Sequence, residues 1–255
     1  GREREHECKK IGVSVLGPDI NESFYKFAVN NNGEIRFGLG AVKGVGESAV
    51  EAIVNERKSN GFYQSFDEFM KRVDLRSANK RTLESIVLAG GFDSFELKRY
   101  QYFAKEENGQ TYLERMIKFG NRVQDSLKSN QVDMFGDIQE STIQVPVPAE
   151  SEEWTAMGLL SKEKEVVGIY LSGHPLDDYK LEIANFSNGN LSMLDNMQKI
   201  KGKKINLSGV VTAVEHKETK TGKPFGILHF EDYNSSYSFY LFGQDYLTFK
   251  SYLTA

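Results

Sequence analysis

The tetrapeptide Lys43-Gly44-Val45-Gly46 sets a cation, two glycines and one apolar side chain at the entrance to an amphipathic stretch. Two glycines around one apolar residue let the backbone bend tightly and present amide N–H groups without Cβ atoms in the way. A phosphate oxygen can then approach those amides closely. A helix starting directly afterwards adds the positive end of its dipole, which favours an anion. The chemistry implied is non-covalent retention of a phosphate backbone. A second unit, DEFMKRVDLRSANKRTLESIVLAGGFD (67–93), follows within one helix length and places Arg76, Ser77, Lys80 and Arg81 around a bend of its own. The first bend is not a nucleotide-binding loop, because GLGAVKGVG lacks the G-x-x-x-x-G-K-[ST] pattern.

Two neighbouring bends of this kind have the physics of tandem helix-hairpin-helix elements, which grip both strands of a duplex without reading bases. The plainer alternative is a pair of ordinary tight turns. A second candidate surface lies at 204–242, where period-two stretches are rich in aromatics and a turn is rich in lysine. Oligonucleotide-binding (OB) barrels hold single strands by stacking bases on aromatic rings beside a basic groove. Lys217, Lys220, Lys223, Phe225 and Tyr240 are the candidates there, and by strand alternation at least half of the region's aromatics belong to a core.

No catalytic constellation emerges. Asp177-Asp178 and Glu231-Asp232 are adjacent pairs, unlike the spaced carboxylates that hold two metal ions. Ser172, His174 and Asp177 are close in sequence, but Gly173-His174-Pro175 reads more simply as a helix-ending turn. His6 and Cys8 form an H-x-C pair that no other histidine completes as a metal site.

The elements that must position these residues follow from periodicity. FYKFAV, NNNG and EIRFGL (24–39) read as a β-hairpin. Glu47–Lys58 places Val50, Ile53 and Val54 on one helical face. Ser65 and Glu68 form a capping box ahead of Phe66, Phe69, Met70 and Val73. A further helix from Asn79 stops at Gly90-Gly91. Residues 94–106 and 110–129 read as two more helices, the second with a stripe of Tyr112, Met116, Phe119, Val123 and Leu127. Residues 130–150 lose periodicity, turn acidic and contain Pro146 and Pro148, which marks an extended linker. QVDMFG (131–136) sits in that linker with a Met-Phe pair that no local helix or strand would cover. Helical character resumes over 152–172 and weakly to Leu181, and from Lys204 three antiparallel strands form a meander.

The 255 residues, 39% hydrophobic and 27% charged, are ordinary globular composition for one or two domains. One cysteine excludes an intramolecular disulfide framework and suggests a reducing, cytoplasmic setting. No apolar run is long enough to cross a bilayer, and GREREHECKK is not a signal peptide. A net charge of -4 argues against a uniformly basic nucleic-acid binder, but charge is segregated. Residues 196–223 carry seven lysines against Glu215 and Glu218, whereas 137–165 carry seven acids against two lysines. Segregation of this kind fits separate surfaces for separate partners, or simply solvated faces.

These stretches, in this order, resemble the C-terminal part of the bacterial C-family replicative polymerases, the DNA polymerase III alpha subunits. The resemblance covers nearly the whole chain. IRFGLGAVKGVGESAVEAIVNER and FDEFMKRVDLRSANKRTLESIVLAGGFD resemble the family's tandem helix-hairpin-helix region, KEKEVVGIYLSGHPLDDY its following connector, INLSGVVTAVEHKETKTGKPFGILHFED the start of its OB domain, and VSVLGPDINES the end of its fingers. The implied architecture is α+β and multidomain: 1–37 end of fingers, 38–129 tandem helix-hairpin-helix domain, 130–150 linker, 151–203 helical connector, and 204–255 a partial antiparallel OB-fold. QVDMF resembles the family's internal peptide for the β sliding clamp, which implies Gln131, Val132, Asp133, Met134 and Phe135 as clamp contacts. Other implied partners are primer-template duplex, single-stranded template and further replisome subunits, with no membrane. The family's catalytic aspartates lie in a palm that nothing here matches, so Mg²⁺ is expected only there, and this stretch is expected to be non-catalytic and to need no cofactor. A stand-alone repair or recombination factor, and a ligase or synthetase with similar accessory domains, stay open as alternatives.

Overall fold

The computed structural model describes residues 14–130 and 143–254. The chain forms two compact units that divide between Ser172 and Gly173, each with an α+β composition.

The first unit opens with a three-stranded sheet, β1 (Val15–Leu16), β2 (Ala28–Val29) and β3 (Ile35–Arg36), in the order β1-β3-β2. β2 and β3 form the expected antiparallel hairpin, and β1 adds to β3 in parallel. The strands are shorter than the alternation in 24–39 suggests. Beyond β3 the extended chain passes close to an earlier segment at Gly38, where a Cβ would stand 2.6 Å from backbone atoms of Tyr25 and Lys26, and then enters a 3-10 turn at Leu39–Ala41. Phe24, Tyr25 and Phe27 are exposed.

Helices α1 (Glu47–Asn60), α2 (Phe66–Arg72) and α3 (Lys80–Leu88) follow, each where periodicity and punctuation place it. α1 buries Ala49, Val50, Ile53 and Val54 and stops at Gly61, whose φ of +85° is cheap only for glycine. Ser65 caps α2, accepting from the Glu68 amide at 3.3 Å, while the Glu68 carboxylate reaches back to the Gln64 amide at 2.7 Å. Asn79 caps α3. Phe66, Phe69, Phe92 and Tyr102 meet edge-to-face or stacked at the centre of the core, with centroids 4.8–6.1 Å apart. Each such ring contributes roughly 1.5–3 kcal/mol by burial.

Residues 94–106 do not form the expected helix. Only α4 (Arg99–Tyr102) is helical. Its neighbours are loops because Arg99 is drawn into a buried polar network, and because a Lys105–Thr111 bridge closes a turn at Gly109, φ +80°. α5 (Tyr112–Asn130) then packs on α2, most closely at Gly120, where a Cβ would lie 2.4 Å from the Met70 carbonyl oxygen. Leu127, the last residue of the expected stripe, is exposed.

The described end of the expected linker is extended yet attached to this unit. Ile143 packs against the core, Arg115 donates to the Val147 carbonyl at 2.7 Å, and Trp154 lies 5.5 Å from the Phe103 ring. α6 (Ala156–Val167) closes the unit. Its Glu163 is 0% exposed and accepts from Arg99 at 2.8 Å, from the Leu171 and Ser172 amides at 2.5 and 2.8 Å, and from the Ser172 hydroxyl. Arg99 also donates to Asp93, to the Leu88 carbonyl and to Ser172. Ser172 therefore faces Glu163 within the first unit, and in the second the His174 amide donates to the Asp177 carboxylate within a turn.

The second unit begins with a 3-10 turn at Asp177–Tyr179, α7 (Lys180–Phe186), a 3-10 turn at Leu191–Asn196 and α8 (Met197–Ile200). The expected meander follows as β4 (Val210–Glu218), β5 (Pro224–Glu231) and β6 (Ser236–Phe242), antiparallel in sequence order. β4 starts later than Lys204 because that stretch pairs elsewhere: the Asn188 amide donates to the Asn206 carbonyl at 3.1 Å, and the Asn206 amide to Asn188 Oδ1 at 2.8 Å. α9 (Gly243–Phe249) covers one sheet face, where Gly226 makes room for Tyr246 and Leu253.

Candidate nucleic-acid interface

The first bend runs from the 3-10 turn through Val42 to Gly46, which occupies the N-cap position of α1 without a capping side chain. Val42 and Val45 are buried and pin it, leaving Lys43, Gly44 and Gly46 exposed. Gly44 has φ +86°, and a Cβ there would meet Ser85 Oγ at 3.1 Å and Arg81 Nε at 3.6 Å. The Thr82 hydroxyl donates to the Gly44 carbonyl at 3.3 Å. The bend is therefore seated on α3 and brings Arg81 beside it. The Lys43 amide is taken by the Val166 carbonyl at 2.8 Å, which leaves only later amides of the bend open to a ligand. Gly46 has no side chain with which to cap, and the space around its Cα is open. The first amides of α1, carrying about half a positive charge, thus face outward without a side-chain acceptor.

The second bend, between α2 and α3, is chemically different. Val73, Leu75 and Ala78 are buried, and Arg76 is exposed. Its polar hydrogens already have an anion: Asp74 accepts from the Arg76 amide at 3.1 Å and from the Ser77 hydroxyl at 2.7 Å. The Ser77 hydroxyl and then the Arg76 amide hold the Asp74 carboxyl below the usual carboxylate range. Lys80 is also committed, 2.6 Å from Glu114 and 3.7 Å from Glu84. That ammonium, followed by the Thr111 amide, brings the Glu114 carboxyl down to about 2. Lys43, Arg76 and Arg81, by contrast, enter no ion pair among the described residues.

Of the first-unit candidates, the fold brings Lys43, Gly44, Gly46 and Arg81 together. It places Arg76 and Ser77 on the turn leading into α3, turns Val45 inward and diverts Lys80. Sequence reasoning missed Thr82 and Ser85, which seat Gly44, and Asp74, which fills the second bend. Thr82 and Gly44 are 38 residues apart, so no local pattern joins them.

On the sheet, the face opposite α9 carries Lys217 of β4, Phe225 of β5 and Tyr240 of β6, joined by Phe242, another of the region's aromatics. Phe225 and Phe242 stack at 5.0 Å, Tyr240 and Phe242 at 6.5 Å, and Tyr240 and Phe242 are 57% and 52% exposed. Lys220 and Lys223 sit on the exposed turn between β4 and β5. Glu215 interrupts this face, binding Lys217 at 2.5 Å and His229 Nε2 at 2.8 Å; the Lys217 ammonium and then the imidazole hold its carboxyl below the usual range. Gln131, Val132, Asp133, Met134 and Phe135 lie outside the described residues. Among the described residues no cluster of three or more His, Cys, Asp and Glu side chains could hold a metal ion, and no helix is long and apolar enough to cross a membrane.

Comparison with known proteins agrees with this geometry. A family described as a helix-hairpin-helix motif matches residues 12–102, the stretch that contains both bends. DNA polymerase III subunit alpha of Borreliella burgdorferi is 35% identical over 252 residues, covering 97% of this chain. The chain is homologous to a segment of the DNA polymerase III alpha subunit. The Pasteurella multocida subunit is 34% identical over 93% of the chain, and that of Escherichia coli K12 33% identical over 89%. The chain spans about one fifth of the length of these curated polymerase relatives.

Proposed function

We propose that this chain holds DNA for a replicative polymerase. Its first unit would grip the backbone of the primer-template duplex, its sheet would meet the single-stranded template, and Gln131 to Phe135 would dock on the β sliding clamp. The observation that carries the reading is an uncapped, outward-facing helix start at Gly46 with Lys43 and Arg81 beside Gly44. On the sheet, the open aromatic row of Phe225, Phe242 and Tyr240 supports stacking of unpaired bases. The role is holding rather than catalysis, set among replisome partners in the cytoplasm. Several modest contacts in one chain must break together before DNA escapes, and each raises the effective concentration of the others. Duplex affinity should fall steeply with salt, because released counterions drive it. A stand-alone repair factor could use the same bends, but the polymerase relatives match 89–97% of the chain, well beyond the bends themselves.

Gly46→Ala tests the grip. Gly46 has φ -85°, which alanine adopts freely, and no atom stands within 4 Å of the added methyl group. Stability should change by less than about 1 kcal/mol, because the entropy gained through the unfolded chain offsets the poorer fit of alanine at an N-cap position. Duplex affinity, measured by fluorescence anisotropy, should nevertheless fall about tenfold, since the methyl stands where a phosphate must approach. Unchanged duplex affinity would remove the bend from the interface. For the clamp, replacing both Met134 and Phe135 with alanine should weaken capture on the purified ring at least about tenfold, because the two side chains supply the apolar burial. Equal capture by both forms would discard the docking peptide.

A further inference from the structure

The second unit holds a concavity of about 470 Å³ built by the turn Leu191–Asn196, α8 and the segment after it, with no lining residue from the aromatic sheet face. It is framed by backbone: the Asn188–Asn206 pairing described above is extended by Asn188 Nδ2, which donates to the Lys204 carbonyl at 3.1 Å. Gly202, at φ +74°, reverses the chain, and the Lys203 amide donates to the Ile200 carbonyl at 2.9 Å. This turn brings Lys199, Lys203 and Lys204 to one cavity, which contains no acidic lining residue. None of the three enters an ion pair among the described residues. Met193 and Ile205 supply an apolar wall, and the Ser192 hydroxyl, which donates to Asn190 Oδ1 at 2.6 Å, lines the same hollow.

Three ammonium groups around one hollow repel one another, and an anion seated between them removes that cost. Lysine serves phosphate as a mobile point charge. The polarizable thioether of Met193 and the methyls of Ile205 suit a flat ring or a sugar rather than a second charge. The volume falls within the roughly 300–1,000 Å³ of small-ligand sites. We infer that this cavity binds a nucleoside phosphate, either free or as one unit of a single strand. The inference goes beyond the proposed duplex, template and clamp contacts and stands on the cavity alone.

The test titrates the full chain by calorimetry with adenosine monophosphate, inorganic phosphate and a ten-residue oligothymidylate in separate arms. Wild type is compared with the Lys203→Ala/Lys204→Ala double variant and with Ser192→Tyr, which fills the cavity while leaving its lysines. All three positions are exposed, and thermal melts check that each variant folds. At least one nucleoside-bearing ligand should bind saturably and weaken about tenfold or more in both variants, with inorganic phosphate the weaker ligand throughout. A response confined to the mononucleotide assigns a free ligand; one confined to the oligomer assigns a strand. Affinities unmoved by either variant, or phosphate binding as tightly as the mononucleotide, would overturn the inference. A failure here would leave the Gly46→Ala result untouched, since that measurement reads a duplex on the other unit.

Discussion

Glu163→Ala should destabilise the first unit by about 3–5 kcal/mol, the range for removing one partner of a buried ion pair. Glu163 is 0% exposed and gathers the Arg99 guanidinium, two backbone amides and the Ser172 hydroxyl onto one carboxylate. Alanine leaves the Leu171 and Ser172 amides without an acceptor and fills none of the vacated space. Arg99 keeps Asp93, whose side chain is 49% exposed and so compensates it only in part. With typical domains stable by about 5–15 kcal/mol, such a loss consumes a large share of the total. Glu163→Gln keeps the volume and one acceptor oxygen, and should fall between wild type and alanine. Urea unfolding followed by circular dichroism reads the difference; a loss below about 1 kcal/mol, within the range of exposed pairs, would mean the network is not what holds α6 to the unit.

Reversing two charges, Lys43→Glu with Arg81→Glu, should lower duplex affinity by about a hundredfold or more at moderate salt. Each removes a charge-assisted contact of about 1.5–3 kcal/mol, and each adds repulsion against the phosphates. The plot of log affinity against log salt should also become shallower by about two. Both side chains are exposed and outside the ion pairs among the described residues, so melting should change little. Arg81 lies in the first turn of α3, where a carboxylate is if anything favoured by the helix dipole. Lys80→Ala is the internal control: Glu114 already neutralises that ammonium, so its loss should cost far less duplex affinity. Equal losses from all three positions would point to a diffuse positive field instead of a seated phosphate.

Much of this architecture was legible because its elements carry local punctuation. Ser65, Asn79 and Gly90 begin or end helices by hydrogen bonds and dihedrals that depend on their own side chains or lack of one. Residues 94–106 were misjudged because their conformation is set by partners far along the chain. Arg99 meets Glu163 64 residues away, and no periodicity announces a salt link. The late start of β4 has a similar origin, since Asn206 is claimed by Asn188 before the sheet begins. At the candidate interface, residue types identified the first bend, but commitment was invisible. Lys80 and Arg81 are neighbours with the same charge, and only the packing of α5 against α3 spends one of them on Glu114.

The Asp74 carboxylate lodged in the second bend makes the two turns chemically unequal. A turn that carries a resident anion must shed it, or reach past it with Arg76, before a sugar-phosphate strand can settle. On the proposed duplex one rail would be clasped and the other merely guided. Under that proposal, such lopsided attachment would let the helix screw forward one nucleotide by loosening a single clasp, where two equal clasps would have to open in concert.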